Sequence, residues 1–198
     1  MPEPLHVAIT GASGFLGRAL AASLTAEGHR VTPLVRRAPR TGEVRWDPGN
    51  VIDLIGLGAV AAVVHLAGEN IAAGRWTPRR KNAIRESRVR GTTTLVASLL
   101  RLPAPPRTLI TASAIGIYGD RGDELLTEVS PAGTGFLPDV GRAWEGATAP
   151  ARGAGIRVVH TRFGLVLARE GGALARMLPF FRLGLGGRLG SGRQWMSW

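Results

Sequence analysis

Cysteine is absent from this chain of 198 residues, so no disulfide and no thiolate metal site can form within it. That suits a reducing compartment; a cytoplasmic location and no bound metal are expected. Aromatic residues make up only 6% of the chain, too few for a surface that stacks nucleic-acid bases. Acidic residues are outnumbered 14 to 25 by basic ones, and the net charge of +11 raises the question of a nucleic-acid partner. Nearly all of that charge is arginine, with Lys81 the sole lysine, scattered from Arg18 to Arg193 with one modest cluster, "RWTPRRKNAIRESRVR". Scattered arginine amid alanine and glycine makes no groove, and nucleic acid is not the expected partner. No run reaches the ~18 apolar residues of a membrane span. The start, "MPEPLHVAIT", lacks the charged-then-apolar order of a secretory signal. A soluble protein with no membrane partner is expected.

What is present is an alternation. "HVAIT" (6–10), "RVTPLV" (30–35), "AVAAVVHLA" (59–67), "PRTLITASA" (106–114) and "IRVVHTRFGLVLA" (156–168) read as strands. Between them lie helical stretches: "GFLGRALAASLTAEGH" after residue 13, a long helix over 78–102 entered through Thr77 and Pro78, and another over 135–155. Short apolar strands alternating with helices, without hairpin signals, predict an α/β protein with a doubly wound parallel sheet and helices on both faces. Residues 171–198, glycine-rich and ending on "RQWMSW", read as cut off.

"ITGASGFLG" sets Gly11, Gly14 and Gly17 three apart, straight after a strand and at the start of a helix. Gly11 allows the sharp turn, Gly14 lets the backbone approach a pyrophosphate, and Gly17 lets helix and strand pack closely. The helix N-terminus offers free N–H groups and a partial positive charge. Thr10, Ser13, Phe15 and Leu16 complete the expected phosphate loop. An acid about 20 residues on would select NAD, whereas arginine suits the 2′-phosphate of NADP. The second strand ends "PLVRR", with Arg36 and Arg37 and no acid before Glu43. Arg36 is therefore expected to favour NADP(H), with NAD(H) the alternative cofactor.

Together, "TGASGFLG", "VVHLAGENI", "SRVRGTTTLVASLL", "SAIGIYGDRGDELLTE", "GRAWEGA" and "GRQWMSW" resemble the atypical extended short-chain dehydrogenases/reductases. The likeness is greatest to the branch of NAD-dependent epimerase/dehydratase relatives called epimerase family proteins, which includes family 39U. The resemblance implies a Rossmann-type fold, with residues 1–170 as the NAD(P)-binding unit and 171–198 as the start of an incomplete substrate-binding segment, and a cofactor lying over the strand ends and touching Leu66, Ala67 and Gly68. It also implies a serine, a tyrosine and a lysine as the proton-handling set. The last two normally stand four apart on one helix face. On the corresponding helix, "GFLPDVGRAWEGA", those positions hold Leu137 and Gly141, or Phe136 and Val140 in the neighbouring register.

Tyr118 is the only tyrosine, and four residues beyond it stands Gly122. The candidates that remain are Ser113, at the end of a strand, and Tyr118, as proton donor or as a wall of the substrate pocket. Lys81, Glu69, Asn70 and Glu128 are further candidates; Asp47 belongs either near the adenine or to an Asp-Pro-Gly turn, and His65 reads as a buried strand residue. Two functions fit: an NADP(H)-dependent oxidoreductase or epimerase for a small molecule, or a non-catalytic NADP(H)-sensing protein.

Overall fold

The computed structural model describes residues 3–188 and 190–198. Met1, Pro2 and Leu189, which fall within the two expected segments, lie outside the described residues. The elements run β1 (His6–Thr10), α1 (Phe15–Ala26), β2 (Arg30–Val35), β3 (Val44–Arg45), β4 (Ala62–His65), α2 (Pro78–Leu99), β5 (Thr108–Ala114), α3 (Phe136–Gly146), α4 (Ala149–Gly153), β6 (Arg157–Phe163), β7 (Leu167–Ala168) and α5 (Gly172–Arg182). Six strands form one parallel sheet in the order β3-β2-β1-β4-β5-β6. The order reverses between β1 and β4, and the crevice beyond their C-terminal ends is where such sheets bind ligands.

Alternate residues of each strand serve opposite faces. Val7, Ile9 and Val64 turn to one side and pack with Leu20, Ala21 and Leu24 of α1. Ala8, Val63 and Leu109 turn to the other, against Leu95, Val96 and Leu99 of α2 and Ala151 of α4. Helices thus cover both faces, as the alternation predicts. Toward its C-terminal end the second face becomes polar: Thr111 bonds His160 at 2.8 Å, and one step further Ser113 stands opposite Arg162 in the β5–β6 register.

Several boundaries differ from the sequence reading. β4 occupies four residues of the expected 59–67, because the short β1 offers partners only from Val7 to Thr10. The helix expected over 135–155 breaks between α3 and α4, where Pro150 cannot donate to an i−4 carbonyl and Thr148 Oγ1 donates instead to the Glu145 carbonyl at 2.7 Å. The strand expected over 156–168 divides into β6 and β7. β3, inside the loop after β2, and α5, between glycines, go beyond the elements expected from the sequence.

Candidate active site

The three glycines are spaced by contact. Gly11 has φ +71°, and a Cβ there would stand 3.0 Å from the Ala67 nitrogen. A Cβ on Gly14 would come within 3.1 Å of the Gly11 carbonyl oxygen, and one on Gly17 within 2.2 Å. α1 therefore begins hard against the turn that leaves β1. Its start has no side-chain cap and no acidic residue in the first turn. The amides of Phe15, Leu16 and Gly17 reach no protein acceptor among the described residues. Free N–H groups at a helix end, walled by glycine, fit the pyrophosphate of a dinucleotide. Ser13 lies exposed at the mouth of this cradle, and the Phe15 ring packs against Gly171 and Gly172.

β1 and β4 are joined at their tips. Thr10 is fully buried; its Oγ1 accepts from the Ala67 amide at 3.3 Å and bonds His65 Nδ1 at 2.6 Å. Leu66 and Ala67 are thereby brought beside Gly11. α2 clamps the same turn from the far side: Ser87 Oγ accepts from the Glu69 amide at 3.1 Å, and Arg88 Nη1 donates to the Glu69 carbonyl at 3.1 Å with its guanidinium against Gly68. Burial pushes the Arg88 pKa down, and its guanidinium lies 5.0 Å from the Trp144 ring centre. At the end of β2, Arg37 is held by Glu43 in a two-bond pair of 2.7 and 2.6 Å. Arg36 is exposed and makes no hydrogen bond or ion pair among the described residues.

The two catalytic candidates belong to one polar chain. Ser113 Oγ donates to Glu145 Oε1 at 2.6 Å. Arg162 grips the same carboxylate, Nε to Oε1 and Nη2 to Oε2, both at 2.9 Å. Its Nη1 donates to the Tyr118 hydroxyl at 2.7 Å and to the Glu128 carbonyl at 2.9 Å. Burial pushes the Glu145 pKa upward, but the hydrogen bonds from Arg162 and Ser113 outweigh it and hold the carboxyl below its ordinary range. Ser113 and Tyr118 are both buried, at 3% and 8% exposure. Glu145 and Arg162 were not among the sequence candidates. The available signal was an arginine in an apolar strand at the step that pairs with Ser113.

The other candidates lie elsewhere. Glu69 pairs with Arg80 at 2.7 Å, and the Asn70 side chain accepts from the Ala72 amide at 2.9 Å. Lys81 Nζ is 5.3 Å from the centre of the Phe136 ring at the start of α3. Asp47 accepts from the Gly49 amide at 2.7 Å and so forms its turn. His65 is wholly buried, and burial pushes its pKa down to about 4.

A parallel sheet of this order, a glycine cradle at its reversal point and a polar cluster at the tips of β5 and β6 define a Rossmann-type, dinucleotide-binding α/β protein. The sequence model of the NAD dependent epimerase/dehydratase family matches residues 7–135, and the chain belongs to that family. It is 46% identical over 194 residues to an epimerase family protein of Mycobacterium leprae, covering 97% of this chain and 62% of that protein. Human epimerase family protein SDR39U1 is 38% identical over 197 residues, covering 98% of this chain and 66% of that one. The solved structure of human SDR39U1 (isoform 2) with NADPH superposes with a TM-score of 0.87 at 36% identity, over 98% of this chain and 65% of that one. A nucleoside-diphosphate sugar epimerase from Corynebacterium glutamicum gives 0.85 at 46% identity, over 99% of this chain and 41% of its own. The chain thus spans less than two thirds of the length of each.

Proposed function

We propose that this chain is an NADP(H)-dependent oxidoreductase or epimerase of the epimerase/dehydratase family, acting on a small molecule without the usual Tyr-x-x-x-Lys pair. The observation that carries this reading is the joining of Ser113 and Tyr118, through Glu145 and Arg162, beside a sheet whose reversal point carries an uncapped glycine cradle. Gly11, Ser13, Gly14, Phe15, Leu16 and Gly17 would hold the pyrophosphate, with Leu66, Ala67 and Gly68 lining the crevice. Thr10 braces those two strand tips from within. Arg36 is the unpaired guanidinium at the end of β2 and the group for a 2′-phosphate. The human relative was solved with NADPH, which supports the preference for NADP(H) over NAD(H).

When bound, the nicotinamide would supply or accept a hydride. The protein's own task is then to bind the substrate beside Ser113 and Tyr118 and to exchange one proton with its oxygen at Tyr118. On this reading residues 1–170 are the cofactor unit and 171–198 belong to the substrate side. The cysteine-free composition suits a cytoplasmic enzyme.

The test is a titration of the purified chain with NADPH and NADH, followed by nicotinamide fluorescence, with Arg36→Ala alongside. Saturable NADPH binding, weakened roughly tenfold in the variant while NADH binding is unchanged, is expected. No binding of either nucleotide sinks the reading. The rival reading, a nucleotide-sensing protein without chemistry, is favoured by one observation: Gly122 stands four residues after the only tyrosine. Saturable binding without NADPH oxidation across a panel of carbonyl metabolites would decide for it.

A further inference from the structure

We propose that Arg162, gripped by Glu145, is the positioning residue that takes the place of the lysine missing beside Tyr118. The proposal rests on the NADP(H) reading above and gives its proton donor a physical basis. An arginine has five N–H donors and no acceptor. In the 2.7 Å contact with Arg162 Nη1 the phenolic oxygen must therefore accept. The hydrogen of Tyr118 is left pointing away from the guanidinium, and no protein acceptor takes it among the described residues.

Ser113 is arranged in the opposite sense. Its proton is given to Glu145 at 2.6 Å, so toward a substrate its oxygen can only accept. One ion pair thus sorts the two hydroxyls, making Tyr118 the donor and Ser113 the acceptor.

The guanidinium cannot swing away from this duty. Both carboxylate oxygens of Glu145 hold it at 2.9 Å in a planar fork, and the Glu128 carbonyl takes a further bond at 2.9 Å. Its carbon lies 5.2 Å from the centre of the Tyr118 ring. In carbonyl reduction the cofactor would supply the hydride to the substrate carbon, and Tyr118 would give its O–H proton to the substrate oxygen. Tyr118 would be left as a phenolate, which Arg162 would stabilise until water returned the proton. Around Tyr118 the other nearby charges are Asp139, paired with Arg142 on α3, Arg121, paired with Glu124 in the following loop, Asp120, which accepts from the Gly122 amide at 3.2 Å, and the exposed Glu128, whose carbonyl meets Arg162. His160 on β6 bonds Arg152 of α4 at 2.7 Å.

The chain's only tyrosine makes the test direct and independent of any substrate. Phenolate absorbance is followed against pH in the full chain for wild type, Arg162→Gln, Arg162→Lys and Glu145→Gln, with Tyr118→Phe as the blank. Loss of the cation in R162Q is expected to raise the midpoint of phenolate formation by about one pH unit or more. R162K should recover at least half of that shift. E145Q keeps the cation and removes its counter-charge, so it should move the midpoint down. Opposite signs in R162Q and E145Q are not what a merely structural ion pair produces.

An unchanged midpoint in an R162Q protein that is folded overturns the proposal. Should R162Q fail to fold, an E145Q midpoint that stays put or rises overturns it equally. NADPH titration of each variant separates the two levels. Failure of wild type to bind NADPH removes the cofactor reading, while the midpoints still decide whether Arg162 governs Tyr118.

Discussion

A Cβ on Gly17 would stand 2.2 Å from the Gly11 carbonyl oxygen and 2.8 Å from the Ala12 Cα. Neither neighbour is the free end of a side chain, so Gly17→Ala must push α1 off the turn. We expect a loss of roughly 1–3 kcal/mol in urea unfolding, together with loss of NADPH binding. His65 makes a different residue-scale prediction. Its folded pKa, about 4, lies below the ordinary 6.5 because burial disfavours the cation. The unfolded chain therefore binds the proton first, and stability present above pH 6.5 drains away as pH falls toward 4. A gap of this width corresponds to about 3 kcal/mol. Urea midpoints measured from pH 7 down to pH 4 should fall in wild type and fall less steeply in His65→Leu. The glycines and the Ser113–Tyr118 stretch were legible because each is local in sequence. Arg162 and Glu145 were not: Ser113 is 32 residues from Glu145, and Tyr118 is 44 from Arg162, distances closed by the β5–β6 pairing and by α3 packing on β5.

Between residues and the molecule stands the turn after β4, whose shape is imposed by α2. Arg88 donates to the Glu69 and Ile84 carbonyls at 3.1 and 3.2 Å and lies against Gly68. Arg88→Met keeps most of the stem's packing but releases the turn that carries Leu66, Ala67 and Gly68. Loss of a hydrogen bond from a charged group, about 1.5–3 kcal/mol, should weaken NADPH binding at least tenfold in the fluorescence titration. Thr77 and Pro78 announced the start of α2 in the sequence, and the structure has Thr77 Oγ1 accepting from the Arg80 amide at 3.2 Å. Elements with such local signals were readable. β3 was not, since two residues paired only with Leu34 and Val35 have no period of their own. The α3–α4 break was missed because a helical pattern continues through Thr148, where a hydroxyl and Pro150 redirect the chain.

For the molecule as a whole, Gly14 separates folding from ligand binding. It is the N-cap of α1, with φ −75° and ψ 176°, an extended conformation open to any residue. Aspartate is a favoured N-cap, so Gly14→Asp should hold or slightly raise the melting temperature of the free chain, even though its Cβ meets the Gly11 oxygen at a tight 3.1 Å. The same carboxylate would occupy the field meant for a pyrophosphate. A ligand that binds only the folded state at about 100 times its Kd contributes about 2.7 kcal/mol. For a chain of this size that corresponds to a rise of roughly 5–10 °C in Tm. Wild type should show that rise with NADPH and Gly14→Asp should show none, as measured by calorimetry on both proteins with and without the nucleotide. Equal rises would place the nucleotide away from the glycine turn. A variant that melts early even without ligand would mean that Gly14 serves packing, as Gly17 does. The predicted combination, a free chain at least as stable and blind to NADPH, is what an α1 start left uncapped to receive an anion produces.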